Sequence, residues 1–366
     1  MGKHFKPEKR IGCFGLLLRL IGVLLLIVLV VAGGGIGYLT ATEFNPEAKA
    51  AADIAGEGSK DLAAKDTLKI VTWNVGYGAL GDNADFFMDG GKMVNTADKD
   101  RVASNLDSIT ARIAEMDPDI FYVQEIDRDS ARSHHVNEYQ QFNETFTQYN
   151  SSFANNYKVA FVPFPVPPLG KVDSGVATFS KFPAASAERI QLPVPFEWPV
   201  RVANLKRCLL VSRIPVADSD KELVLVNLHL EAYDSGEGKI AQTKMLAQIM
   251  QDEVAKGNYV IAGGDFNQIF SSADQNAYPA QEGKWAPGQL DESAFEGEWQ
   301  FLMDASTPTC RSLDQPLAGA DTENFQYYLI DGFIVSNNLK VKSLKTIDAG
   351  FTATDHNPVA LEVTLK

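Results

Sequence analysis

The chain is poor in the side chains that hold soft metals, with only three cysteines and five histidines among 366 residues. Neither type forms a short-spaced cluster, which excludes a zinc centre built from several His and Cys ligands. Three cysteines also exclude a disulfide scaffold. A single bridge between Cys208 and Cys310 is open to an extracellular chain, but two buried free thiols are the better reading, and Cys13 lies apart at the edge of an apolar run. Basic residues are scarce too, 33 Lys and Arg against 47 Asp and Glu. Beyond residue 40 the balance is 28 to 46, a formal net charge of −18. Such a surface repels polyanions and counts against a dedicated binder of long nucleic acid, although a locally basic cleft remains compatible with it. Internal repeats are absent.

The sequence does contain one long run without charge, Leu20–Leu39, rich in Leu, Val and Ile. About twenty helical residues span roughly 30 Å, the hydrocarbon thickness of a bilayer, and the run lacks the polar face of a soluble core helix. Residues 20–40 are therefore expected to form a transmembrane helix. Lys3, Lys6, Lys9, Arg10 and Arg19 precede the run, whereas Glu43, Glu47 and Asp53 follow it. Positive charge stays inside, so residues 1–19 form a basic cytoplasmic N-terminus and the rest lies outside the cytoplasm. A cleaved signal peptide has the same charge order but a shorter apolar part and a small-residue cleavage site. The best candidate here, Thr40-Ala41-Thr42, is poor. A single-pass plasma-membrane protein is the expectation.

Residues 41–66, rich in Ala, Glu, Lys and Gly, read as a stalk, and residues 67–366 as one domain in which strands and helices mix. Leu68–Trp73, Asp119–Gln124, Leu223–Leu228, Tyr259–Ala262, the segments around Tyr328–Val335, and Val359–Leu365 read as buried strands. Val102, Leu106, Ile109 and Ile113 recur at helical spacing, as do Ile240, Leu246, Ile249, Met250 and Val254. Two stretches look irregular, 163–200 with Pro163, Pro165, Pro167 and Pro168, and roughly 271–325. Loops of that length are usually functional or disordered.

Polar residues gather at the ends of the apolar strands: Asn74, Glu125, His229, Asp265 with Asn267, Asp331, and Asp355 with His356. Each alone is an ordinary cap or core residue. Together they suit one chemistry. Glu125 and Asp355 are hard oxygen donors for Mg²⁺, Mn²⁺ or Ca²⁺. Asp265 can orient or deprotonate water, and His229 and His356 can donate to a phosphate. An Asp331–His356 pair would fix the imidazole and favour its charged form. Attack of water on a phosphorus ester needs this combination.

In the order TWN, QE, SG-x-a-x-FS, NLHL, GDFN, IDGF, DHNPV, residues 67–366 resemble the endonuclease/exonuclease/phosphatase superfamily, whose members include pancreatic-type deoxyribonuclease and neutral sphingomyelinases. The resemblance implies a four-layer α/β sandwich, two packed mixed β-sheets flanked by helices, with the site at one edge. It implies a metal, Mg²⁺ first, on Glu125 with Asn74 and Asp355 beside it. Asp265 takes the part of the residue that activates water, Asn267 holds phosphate or Asp265, and His356 stabilises the transition state, paired with Asp331. His229 matches a second histidine of the deoxyribonuclease and sphingomyelinase branches, Asp173 stands where an acidic partner for it is kept, and Lys206 or Arg207 stands near a phosphate-binding arginine. Gly76 replaces an acidic residue of the abasic-site endonucleases, which weakens that reading.

The expected activity is hydrolysis of a phospholipid or small phosphoester by a monomer held at the bilayer. An extracytoplasmic nuclease and an inactive tethered binding protein are the alternatives. Substrate choice is expected in three segments: Ser130–Tyr139 with Arg132, His134, His135 and Tyr139; the proline-rich stretch with Phe164, Phe196 and Trp198; and the stretch with Tyr278, Trp285 and Trp299.

Overall fold

The computed structural model describes residues 12–366, and the chain divides after Glu43 into two units. The first is a helix, Cys13–Ala41, with a mean hydropathy of 3.0 in its most apolar window. By length and composition it can cross a bilayer. It begins before Leu20 because Cys13–Arg19 carries good helix formers, leucines above all, and no proline, so that the single Gly15 is tolerated. Of the basic segment 1–19, residues 1–11 lie outside the described residues.

The second unit contains two mixed sheets packed face to face. One sheet has the strand order Leu339–Thr346, Val359–Leu365, Thr67–Asn74, Ile120–Asp127, Gly170–Ser180, Asn150–Val162 and Asp53–Ala55. The other runs Lys49–Ala51, Ser186–Gln191, Cys208–Ala217, Glu222–His229, Tyr259–Asp265, Asp331–Ser336 and Trp299–Leu302, with Leu62–Ala63 beside Cys208–Ala217. Alternation along the strands makes the layers. Ile70, Ile120, Tyr122, Leu223, Leu225, Ile261 and Phe333 meet between the sheets. Their neighbours Val71, Phe121 and Val123 face helices Lys99–Met116 and Glu138–Thr145, and Val224, Val226 and Val260 face Glu237–Ala255. The expected four-layer sandwich is the observed fold.

Three expectations change. The stalk 41–66 is largely part of the domain, since Lys49–Ala51, Asp53–Ala55 and Leu62–Ala63 pair with strands of the two sheets. Segments of two or three residues are too short to display alternation. The stretch 163–200, expected to be irregular, contains the whole of the strands Gly170–Ser180 and Ser186–Gln191, with the prolines confined to the connections. On helix Glu237–Ala255, Ile240 and Val254 are exposed, and the buried face is completed by Gln242, Thr243 and Glu253.

Glu253 fastens that helix to the sheet. Arg213 donates to both of its carboxylate oxygens, at 2.9 and 2.6 Å, and Asn258 adds a bond of 2.8 Å. Burial alone would raise the Glu253 carboxyl, but bonds from Arg213, Lys256 and Asn258 hold it down at about 2. A depressed carboxyl contributes stability above its unfolded value of 4.5 and loses it as pH falls towards 2. Glu253→Gln should therefore lower the unfolding free energy by about 2 kcal/mol at neutral pH, with the difference closing below pH ~4. Chemical denaturation across pH measures it.

Candidate active site

Two parallel pairings build the site. Thr67–Asn74 runs parallel to Ile120–Asp127, and Glu222–His229 parallel to Tyr259–Asp265, so Asn74, Glu125, His229 and Asp265 emerge at one edge of the sandwich. Asp331 opens an antiparallel strand in register with Asp265. Val359 pairs with Thr72, which brings Asp355 and His356 back to Asn74. A buried polar link pins the sheets beneath. Gln124 Nε2 donates to Asn227 Oδ1 at 2.8 Å, and Asn227 Nδ2 to the Ala177 carbonyl at 2.7 Å.

Glu125 is the extra residue of a bulge between Gln124 and Ile126, with φ +54°. The bulge turns its carboxylate out of the alternation and into the cleft, at the cost of a left-handed backbone. Gly264 answers a similar demand before Asp265. Its φ is +145°, and a Cβ there would lie 1.9 Å from the Leu228 carbonyl oxygen, so only glycine fits. Asn267, at φ +50°, turns its backbone N–H onto Asp265 Oδ1 at 2.8 Å and its side-chain amide onto the Leu230 carbonyl at 2.9 Å.

Asn74 joins the two halves. Its amide nitrogen donates to Glu125 Oε1 and to Asp265 Oδ2, both at 3.1 Å, while its oxygen accepts from the Gly76 N–H. Two carboxylates on one end and an N–H on the other fix the amide's direction. Asn74, expected among the metal ligands, thus serves here as a donor clamp between the two carboxylates, with its oxygen turned to the Gly76 N–H. His356 Nδ1 lies 2.8 Å from Asp331 Oδ2, and Trp73 Nε1 donates to the His356 carbonyl at 2.9 Å. The His356 Nε2 is 3.8 Å from Asp265 Oδ2 and 3.9 Å from Asp355 Oδ2, and His229 Nε2 is 3.5 Å from Asp265 Oδ2. The expected group thus converges, apart from the outer members.

Those outer members are placed differently. Asn155 and Lys158 take up the Asp173 carboxylate, at 2.7 and 3.1 Å, and His229 Nδ1 has no hydrogen-bond partner. Asp173 faces the neighbouring strand's polar side chains and does not partner His229. Lys206 donates to the Arg201 carbonyl at 2.7 Å. Arg207 is buried against Glu231 and donates to the His229 carbonyl at 3.2 Å, so it supports that histidine from behind. Segment Ser130–Tyr139 is no solvated rim. Arg132 is buried, donates twice to Asp127, covers the Tyr77 ring at 3.7 Å and lies 4.0 Å from Glu125. Tyr139 is buried as well, and His135 pairs with Asp129 at the surface.

Charge in the site follows from burial. Burial pushes the Glu125 carboxyl up; Arg132 and Asn74 oppose this and Asp355 reinforces it. Burial and then Asp331 push the Asp265 carboxyl up to about 7, against His356 and its own hydrogen bonds. Burial would lower His356, yet Asp331, which also accepts its Nδ1–H, and Asp355 hold it well above 6.5. Burial, with Arg207 and His356, holds His229 well below 6.5. One imidazole is therefore cationic and its neighbour neutral.

Sequence reasoning missed Asp89 and Tyr233, joined at 2.9 Å and within electrostatic reach of Glu125, Asp355 and His356. Loss of solvent there, offset by Tyr233 and reinforced by Asp355 and Glu125, pushes the Asp89 carboxyl up to about 7. Both residues sit on connections without apolar periodicity.

Two packed mixed sheets with carboxylates, amides and imidazoles converging at one edge define the phosphoesterase sandwich. The chain belongs to the Endonuclease/Exonuclease/phosphatase family, whose sequence profile matches residues 71–356. Family members are hydrolases of phosphoester bonds and are generally dependent on divalent metal. No curated protein sequence matches the chain. The fold is similar to that of the endonuclease/exonuclease/phosphatase from Beutenbergia cavernae DSM 12333, with TM-score 0.53 and 17% identity over 82% of this chain and 72% of that one. The Bacteroides vulgatus protein gives 0.53 and 14% over 82% and 100%. Its Bacteroides thetaiotaomicron counterpart gives 0.52 and 18% over 82% and 99%. At these identities the likeness concerns the fold.

Proposed function

We propose that the chain is a membrane-anchored, divalent-metal-dependent phosphodiester hydrolase acting outside the cytoplasm on a phospholipid or small phosphoester. The observation that carries the reading is the convergence of Glu125, Asp265 and His356 around Asn74. The donor set fits a hard cation: Glu125, pushed up by burial and by the charge of Asp355, has only oxygen atoms to offer, as has Asp355, with Arg132 and His356 as counter-charges to Glu125. These two carboxylates would hold Mg²⁺, and the ion supplies Lewis-acid polarisation of a phosphoryl oxygen.

The remaining chemistry belongs to the chain. Asp265, held by Asn74 and the Asn267 N–H, takes the proton of the attacking water at its free lone pairs. His356, kept charged by Asp331, turns Nε2–H to the phosphoryl oxygen on which charge develops. Neutral His229 lines the same pocket beside Asp265.

A lipid substrate is supported by the rim. Phe164 and Val166, 65% and 93% exposed, project from the connection between Asn150–Val162 and Gly170–Ser180, and the Phe164 ring meets Phe87 at 5.8 Å. Trp198 and Met88 are exposed too. An apolar rim of this kind suits an interface with acyl chains and headgroups, and it fits an apolar helix that ends at Ala41, eight residues before the first strand at Lys49. Net charge −18 beyond residue 40 disfavours long nucleic acid.

The test is turnover by the full chain in proteoliposomes. Bis-p-nitrophenyl phosphate and phospholipid should both be hydrolysed with Mg²⁺ or Mn²⁺, and chelator should reduce both rates to background. Chelator-resistant turnover would contradict metal dependence, and cleavage of DNA in preference to lipid would favour the nuclease.

A further inference from the structure

One group beside the catalytic residues has no part in the chemistry above. Cys310 lies on the short strand Cys310–Arg311 and forms an isolated antiparallel bridge with His356. The Arg311 N–H donates to the Asp355 carbonyl at 3.0 Å, so the backbone clamps the cysteine against the Asp355-His356 pair. All three residues are buried, and a thiol sulfur, a carboxylate oxygen and a ring nitrogen from them lie within 4.8 Å of one another.

We propose that Cys310, His356 and Asp355 form a second, inhibitory metal site that takes a thiophilic divalent ion such as Zn²⁺ or Cd²⁺. The ligand chemistry selects the ion. Sulfur and imidazole suit Zn²⁺ and Cd²⁺, whereas Mg²⁺ demands oxygen. The imidazole is already dressed for coordination, because Asp331 occupies Nδ1 at 2.8 Å and leaves Nε2 for a metal, the carboxylate–histidine arrangement that orients metal-bound histidines. On binding, two protons leave to solvent, one from the Cys310 thiol and one from His356 Nε2, and the thiolate sulfur and the freed ring nitrogen take their places on the ion, with no change of oxidation state.

The position dictates the effect. The ion would occupy the nitrogen that faces phosphate and would share Asp355 with the hard cation, so the two metals compete. Inhibition by Zn²⁺ should therefore weaken as Mg²⁺ is raised. This consequence rests on the proposed hydrolase, whereas binding does not.

The experiment titrates Cd²⁺ into the full chain in lipid nanodiscs without Mg²⁺ and follows the ultraviolet charge-transfer band of a cadmium thiolate. The expected result is a saturable band from one thiolate, lost in Cys310→Ser and Cys310→Ala and retained in Cys13→Ser and Cys208→Ser. The Zn²⁺ concentration for half-inhibition should rise at least tenfold in Cys310→Ser. No band in the wild-type chain, or a band that survives both Cys310 substitutions, overturns the site. Equal Zn²⁺ sensitivity of wild type and Cys310→Ser overturns its inhibitory role. A Cys310-dependent band in a chain that hydrolyses no phosphoester upholds the site and counts against the hydrolase alone.

Discussion

Asp265→Ala is expected to lower kcat by about 10³-fold while leaving the melting temperature within a few degrees of wild type, since a positioned base contributes roughly 10²–10⁴. Alanine is the right replacement. The Asp265 Oδ2 accepts from Asn74 and lies 3.5 and 3.8 Å from the Nε2 atoms of His229 and His356, so an asparagine amide placed there would set donor against donor. Truncation loses the bond from the Asn267 N–H but also removes a carboxylate that crowds Asp331 in a buried site, and Asn74 keeps Glu125. Those effects offset one another in stability and not in catalysis. The pH profile adds a second reading. Asp265 is raised to about 7 and accepts a proton only when ionised, so the wild-type rate should climb through about pH 7 and level off above it. The same raised value means that ionising Asp265 costs stability as pH rises through its unfolded range towards 7, because the folded state holds the proton more tightly. Wild-type activity in Asp265→Ala, measured with Mg²⁺ on bis-p-nitrophenyl phosphate, would remove this residue from the mechanism.

The residues of the cleft were legible in the sequence because each follows an apolar run, and parallel pairing carries the ends of such runs to one edge. Asn74, Glu125, His229 and Asp265 are read that way, Asp331 by its interruption of an apolar run, and His356 by its place before the last strand. The internal geometry was not legible. That Glu125 projects from a bulge depends on which residue lacks a partner, which is a property of the pairing with Gly170–Ser180. The strand Asn150–Val162 carries a polar run, Asn150 to Ser152 and Asn155 to Asn156, that hides its burial. Arg132 lies in a segment that looks solvated, yet Asp127 neutralises it inside the domain; a charge reads as surface until its partner is known. Asp173 fails for the same reason in reverse, since Asn155 and Lys158, closer on the adjacent strand, capture it. Lys49–Ala51 and Asp53–Ala55 are edge segments whose assignment rests wholly on the strands they join.

His356 poses a harder test, because it holds charge for two purposes. In the proposed mechanism its Nε2 donates to the phosphoryl oxygen, while its Nδ1 neutralises Asp331, a carboxylate with no exposed surface and one oxygen, Oδ1, already without a partner. His356→Ala should therefore lower kcat by about 10²–10³, the loss associated with one transition-state donor. It should also destabilise the fold by about 3–5 kcal/mol, the cost of a buried charge left alone. A fall in activity by itself would not separate the two roles. Adding Asp331→Asn removes the orphaned charge, so the double variant should regain most of the lost stability and none of the lost rate. In His356→Ala alone the residual rate should also begin its climb at higher pH, since the imidazolium no longer draws the Asp265 carboxyl down while Asp331 still pushes it up. Recovery of kcat along with the melting temperature would reduce His356 to a structural counter-ion. A defect confined to KM would make it a binding residue.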